Sequence, residues 1–250
     1  MLSFHNDEKV KEKYVNRIKK HKEMDNILQG TAWKNGKGCA VGCTLENYDH
    51  SRYPIELGLP EWLARLEDAI FEGLSVEKAK EWPLLFLESI PVGVCVEKVK
   101  HQLAIKRLDR LLATQNERLK ENKENKKVSK VIAKIIKSTD IIKKCHQAKL
   151  EGKYRNWAVS AARLAGLAAE SAESIKPVEL ARSLAESAWA TWEAAESVGS
   201  AESAIRSPLW SARSTAWSAN AAVKSVCFEA RLVAWQQEAD DLIDLLSNCK

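Results

Sequence analysis

From Tyr154 onward the chain is written largely in alanine, serine and tryptophan, with A-E-S fragments recurring at irregular intervals. Between Tyr154 and Ile175 only Gly166 interrupts a helix, and Pro177, Gly199 and Pro208 mark natural boundaries. Alanine has the highest helix propensity, so this segment is expected to form long helices, the last running to about Leu246. Small side chains let such helices approach closely, and tryptophans fill the gaps that remain. Trp210 and Trp217 lie one heptad apart, and Trp189 and Trp192 share a face. Core or oligomer packing is the reading for these rings, and a stacking platform for bases is the functional alternative. The repeat drifts and holds no fixed period, so a solenoid is not expected. The whole chain has 10 glycines and 6 prolines in 250 residues. So few turn-formers favour an all-α fold.

The N-terminal part reads as shorter helices. Asn6 or Asp7 caps an amphipathic helix over 7–28, with Val10, Tyr14, Ile18 and Leu28 inward and Gly30 past its end. His21 and Asp25 share that stripe, four residues apart. Loop and short turns are expected from 30 to about 50. Ser51–Leu57 forms a short helix ending at Gly58, and Pro60 opens the next, with Trp62, Leu63, Leu66, Ile70 and Leu74 buried. Ser75 caps another, Pro83 starts one more, and Pro91 with Gly93 breaks the run. A helix then reaches about Lys120. The polar stretch 116–127 is a solvated helix end or a linker. Three regions follow: a helical domain over 1–115, a basic linker and amphipathic helix over 116–153, and a helical bundle over 154–250.

Charge is unevenly spread. The net charge is +5, yet residues 98–153 hold 17 lysines and arginines against 6 acids. Val128, Val131, Ile132, Ile135, Ile136 and Ile142 give a helix with one apolar face, and Lys127, Lys130, Lys134, Lys137 and Lys144 give it a cationic one. That face is either solvated against acidic flanks or a surface for a polyanionic partner. The helix lacks tryptophan and phenylalanine, which argues for a partner protein over a membrane surface. No apolar run approaches the ~20 residues that span a bilayer, and the N-terminus has no secretory core. A cytoplasmic protein with reduced cysteines is expected.

The segment W-K-N-G-K-G-C-A-V-G-C-T at 33–44 carries most of the candidate chemistry. Gly36 and Gly38 flank Lys37, so a cation sits on bare backbone whose amides can hold a phosphate or carboxylate. Gly30 and Gly36 have five residues between them, not four, and Lys37 is followed by glycine, which excludes the nucleoside-triphosphate loop. The expected site is a small anionic, nucleotide-like ligand held by Trp33, Gly36, Lys37 and Gly38, with His5, His21 and His50 lining the pocket. No cofactor is implied. Cys39 and Cys43, with His50 and His21 or His5, make one loose ligand pair, short of the two tight pairs of a structural zinc site, so no metal is expected. A rival reading is an enzyme with Cys39 as nucleophile, His21 as base and Asp25 orienting it.

F-H-N-D at 4–7, the 33–44 segment and E-L-G-L-P-E-W-L-A-R-L-E-D-A-I-F-E-G-L at 56–74 together resemble an uncharacterised family of small phage and bacterial proteins with an alanine-rich helical tail. The likeness covers the first 95 residues, and the tail only in character. It implies a phage or prophage setting, in which small accessory proteins often counter host defence. Capture of an anionic ligand without turnover, a homo-oligomer built by the tail, and docking on a host protein are the expectations carried forward.

Overall fold

The structure is a computed structural model that describes residues 1–153, 158–172, 180, 184, 187, 188, 191, 194 and 227–250. The four paired tryptophans named above, together with Pro177, Gly199 and Pro208, lie outside the described residues. The fold is all-α, with one two-stranded ladder among the described residues. The chain divides into two compact units, 1–99 with 235–250, and 100–234. The division falls near residue 99 and not 115, because one unbroken helix runs through 115. No described helix is long and apolar enough to cross a membrane.

The first unit opens on an unusual turn. Phe4, His5 and Asn6 have φ of 52°, 54° and 59° in succession. Left-handed backbone costs an L-residue roughly 1–2 kcal/mol each, so the surroundings must impose it. The Ser3 hydroxyl donates to the Pro91 carbonyl at 2.6 Å, and the Phe4 amide donates to the Leu57 carbonyl at 2.6 Å. The Gly93 amide closes on the Ser3 carbonyl at 3.0 Å. The Phe4 ring is fully buried beneath this clamp.

Asp7 then caps α1 (Glu8–Glu23), its carboxylate accepting the Lys9 amide at 2.9 Å. The helix ends five residues short of the expected 28, because Asp25 turns left-handed at φ 50°. Asp25 and Leu28 therefore leave the stripe that Tyr14 and Ile18 continue. Where loop was expected there is regular structure: β1 (Trp33–Lys34), β2 (Lys37–Gly38) and α2 (Ala40–Leu45). A 3-10 turn (His50–Arg52) leads into α3 (Tyr53–Glu56), and α4 (Glu61–Gly73) and α5 (Val76–Ser89) follow. Trp62, Leu63, Leu66, Ile70 and Leu74 are buried as the periodicity requires, and the Ser75 hydroxyl caps α5. Pro83 does not start a helix. It lies inside α5, where buried Trp82 and Phe86 on either side hold the helix through it; packing here overrides propensity.

The second unit contains α6 (Val99–Glu121), α7 (Lys126–Leu150) and α8 (Ala158–Ala172). Residues 116–127 are no linker: α6 ends in a four-residue turn, and Asn125 caps α7 by accepting the Val128 amide at 3.2 Å. Val128, Val131, Ile132 and Ile135 pack with Ala168, Ala169, Ala172, Leu184 and Ala188 in one cluster. Polar rungs cross this interior. Gln115 donates to the Ser187 hydroxyl at 3.0 Å, the Thr139 and Thr191 hydroxyls meet at 2.9 Å, and His146 Nε2 meets the Ala194 carbonyl at 3.1 Å. Buried pairs of this kind have matching partners in one register only. The last helix, α9 (Cys227–Ser247), returns its C-terminal part to the first unit. There the Trp235 indole lies flush on Gly73, leaving no room for a Cβ at that position.

Candidate functional site

The glycine-rich segment is a β-hairpin. Trp33 pairs with Gly38 and Lys34 with Lys37, and Asn35-Gly36 makes the two-residue turn, with φ of 52° and 78°. Two successive positive φ values are what a type I′ hairpin turn demands, and Asn-Gly is its preferred pair. The Gly38 amide donates to the Asn26 carbonyl at 3.0 Å, and its own carbonyl receives the Leu28 amide at 2.8 Å. A side chain at Gly38 or Gly42 would collide with the Ala32 carbonyl oxygen. These two glycines let the chain lie against itself. Gly36 and Lys37 are exposed at the tip. An anion cradle needs unspent amides beside the lysine, and the Gly38 amide is spent, so its geometric premise is not met.

The expected histidines do not converge. His5 Nε2 bonds the Ile55 carbonyl at 2.9 Å on the strained N-terminal turn. His50 stands at 3.4 Å from Asp68. Only His21 and Trp33 meet, ring edge to face at a centroid distance of 5.5 Å. His21 Nε2 faces Glu46 at 3.5 Å, and burial holds the imidazole below its ordinary range despite that carboxylate.

The thiol triad is not assembled either. Asp25 is exposed and bonded by Lys80 at 2.6 Å, whose hydrogen bond and charge keep its carboxyl below the usual range. Cys39 is buried at the start of α2. Its sulfur accepts the Gly42 amide at 3.4 Å and lies 3.5 Å from the Ala32 carbonyl. Burial pushes this thiol far up, and the neighbouring Asp68 charge pushes it further. Cys43 donates to the Gly38 carbonyl at 3.3 Å and is pushed up to about 12, chiefly by burial. A nucleophilic cysteine needs the opposite environment. At about pH 7.5, iodoacetamide is therefore expected to label exposed Cys95 in the folded protein and to leave Cys39 and Cys43 intact. Peptide mass mapping reads this directly, and rapid alkylation of Cys39 would restore the enzyme reading.

What does converge is an acidic pair on α4. Tyr48 donates to Asp68 at 3.0 Å from one side, and His50 approaches the same oxygen at 3.4 Å. Burial pushes the Asp68 carboxyl up, but these donors outweigh it and hold the group below the usual range. Its neighbour Glu67 behaves oppositely. It is fully buried and accepts the Tyr53 hydroxyl at 2.5 Å. Burial lifts its carboxyl far above the ordinary range, and the Asp68 charge adds to the lift. The two neighbouring acids are thus shifted in opposite directions. Both tie the 33–53 segment to α4. His50 faces Asp68 while the Cys39 thiol lies against the Ala32 carbonyl, and no hydrogen bond joins Cys39 to His50 among the described residues. Glu67 was readable in the sequence, since it falls on the buried stripe between Leu63 and Ile70. Asp68 was not, because its partners come from loops.

In the second unit the cationic face of α7 stands as expected. The helix carries eight lysines and one acid, Asp140. Lys144 pairs with Asp140 at 2.7 Å, and Lys143 pairs with Asp109. Residues 126–137 contain no acid. Lys126, Lys127, Lys130 and Lys137 are exposed and Lys134 half-buried. Among the described residues no carboxylate reaches Lys126, Lys130, Lys134 or Lys137 within ion-pair distance. Searches of protein-family profiles, of curated proteins and of solved structures find no match to this chain.

Proposed function

We propose that this protein works by binding, without turnover, and that the lysine face of α7 receives an anionic partner. Placement is the observation that carries this reading. The N-terminal end of a helix bears positive partial charge, so Lys126 in the first turn of α7 opposes it by roughly 0.3–1 kcal/mol. Like charges four apart, as at Lys126, Lys130 and Lys134, cost roughly 0.2–0.5 kcal/mol per pair. Within α7 these placements only cost, and an anion lying along the helix offsets both costs. Capture of an anion is thus retained as the reading, with its seat moved from the hairpin to α7.

Titration with inorganic polyphosphate at about 50 mM salt tests it. K130Q/K134Q/K137Q is expected to weaken binding at least tenfold or so, since most of the affinity is charge neutralisation. K9Q/K20Q/K34Q removes the same charge from exposed positions of the first unit and is expected to bind as the parent does. Equal losses in the two triple variants would reduce the effect to net charge and overturn the assignment.

A further inference from the structure

Resting on that reading, we infer that the partner of α7 is the phosphate backbone of a nucleic-acid duplex, bound without regard to sequence. The exposed side of α7 lacks apolar anchors. Its exposed residues are Lys126, Lys127, Lys130, Ala133, Lys137, Lys144 and Gln147. No large apolar side chain is exposed anywhere on this helix. Stable protein–protein contacts are built around desolvated aromatic, apolar or arginine anchors, and lysine is depleted from their centres. An acidic protein surface would find nothing here to anchor it.

Nucleic-acid interfaces have the opposite character: polar, wet and strongly positive. Along α7 the lysines step at i, i+4, i+8 and i+11, neighbours roughly 5–6 Å apart. They form a straight row over residues 126–137, about 17 Å long at 1.5 Å per residue. A duplex carries one negative charge per ~1.7 Å of its axis, so a row of this length always faces several phosphates. Lysine is a point charge on a flexible stem and lacks the planar fork that reads guanine. The row therefore positions and does not specify. Single strands are held by stacking on aromatic side chains, and α7 offers no exposed ring.

Fluorescence anisotropy with a labelled mixed-sequence duplex of about 20 base pairs decides the matter, with poly-L-glutamate and the corresponding single strand as further arms. Four lysines predict a slope of log K against log salt near −3.5, at about −0.9 per neutralised phosphate. K130Q/K134Q/K137Q is expected to bring the slope close to −1, K9Q/K20Q/K34Q to leave it unchanged, and a scrambled duplex to bind equally. Binding of polyglutamate without the duplex would make the partner an acidic protein; the duplex inference would fall and the anion-binding reading of α7 would stand. Tighter binding of the single strand would likewise overturn the duplex. Failure of all three arms would remove the reading of α7 itself.

Discussion

Glu67→Ala is expected to destabilise the first unit by about 2–4 kcal/mol, while Glu67→Gln is expected to be tolerated and to gain on the parent as pH rises. The alanine variant removes the acceptor of the Tyr53 hydroxyl, which is fully buried. It adds an orphaned donor to a cavity. Glutamine keeps the shape and an acceptor oxygen. The pH dependence follows from the raised carboxyl. In the unfolded chain Glu67 loses its proton above its ordinary value of 4.5, whereas in the folded protein burial retains that proton. The folded state then binds more protons than the unfolded one, so stability falls with rising pH. The slope is about 1.4 kcal/mol for each pH unit over which the mismatch persists. Urea unfolding of parent and Glu67→Gln near pH 5 and pH 8 measures the difference. A constant offset between the two proteins would mean that Glu67 is ionised in the fold and matched by its surroundings.

Acid is expected to undo the second unit through His146. This imidazole is buried, its Nε2 bonds the Ala194 carbonyl at 3.1 Å and its Nδ1 meets His101 Nδ1 at 3.0 Å. A carbonyl only accepts, so Nε2 carries the hydrogen and Nδ1 of His146 accepts from His101. Burial first, then His101 and the nearby Arg107 charge, lower its pKa from 6.5 to about 3. The unfolded chain takes up this proton below about pH 6.5, whereas the folded unit refuses it. Stability is therefore full above that value and declines as pH falls, by about 1.4 kcal/mol per unit and ~4–5 kcal/mol in all near pH 3. His146→Gln retains an N–H for the Ala194 carbonyl and carries no titrating group. Its urea midpoint is expected to stay nearly level between about pH 7 and 4.5 while the parent's drops. Parallel declines would assign the acid sensitivity elsewhere.

Much of this architecture was legible before any coordinates. The inward stripes of α4 and α7, the Asp7 and Ser75 caps and the break at Pro91-Gly93 rest on local periodicity and capping, which a sequence states outright. Misreadings came where tertiary contacts decide. Asn35-Gly36 carries a hairpin signal, yet the strands are two residues long and hold only because Asn26–Leu28 lies beside them. Pro83 reads as a boundary until Trp82 and Phe86 are seen to bury its helix. Gly38, which looked ready for a ligand, faces the Ala32 carbonyl instead, and only the folded chain brings that oxygen to it. Nor does spacing reveal that His101 and His146, 45 residues apart, share a hydrogen bond. The lysine row was plain from the start, because a charge pattern on one helix is a local property.

Polyphosphate titration followed by amide chemical-shift mapping reports where the anion sits. Shifts are expected to concentrate over residues 126–137 of α7, with those of the 33–38 hairpin unmoved. Shifts centred on Gly36, Lys37 and Gly38, with α7 silent, would contradict that placement.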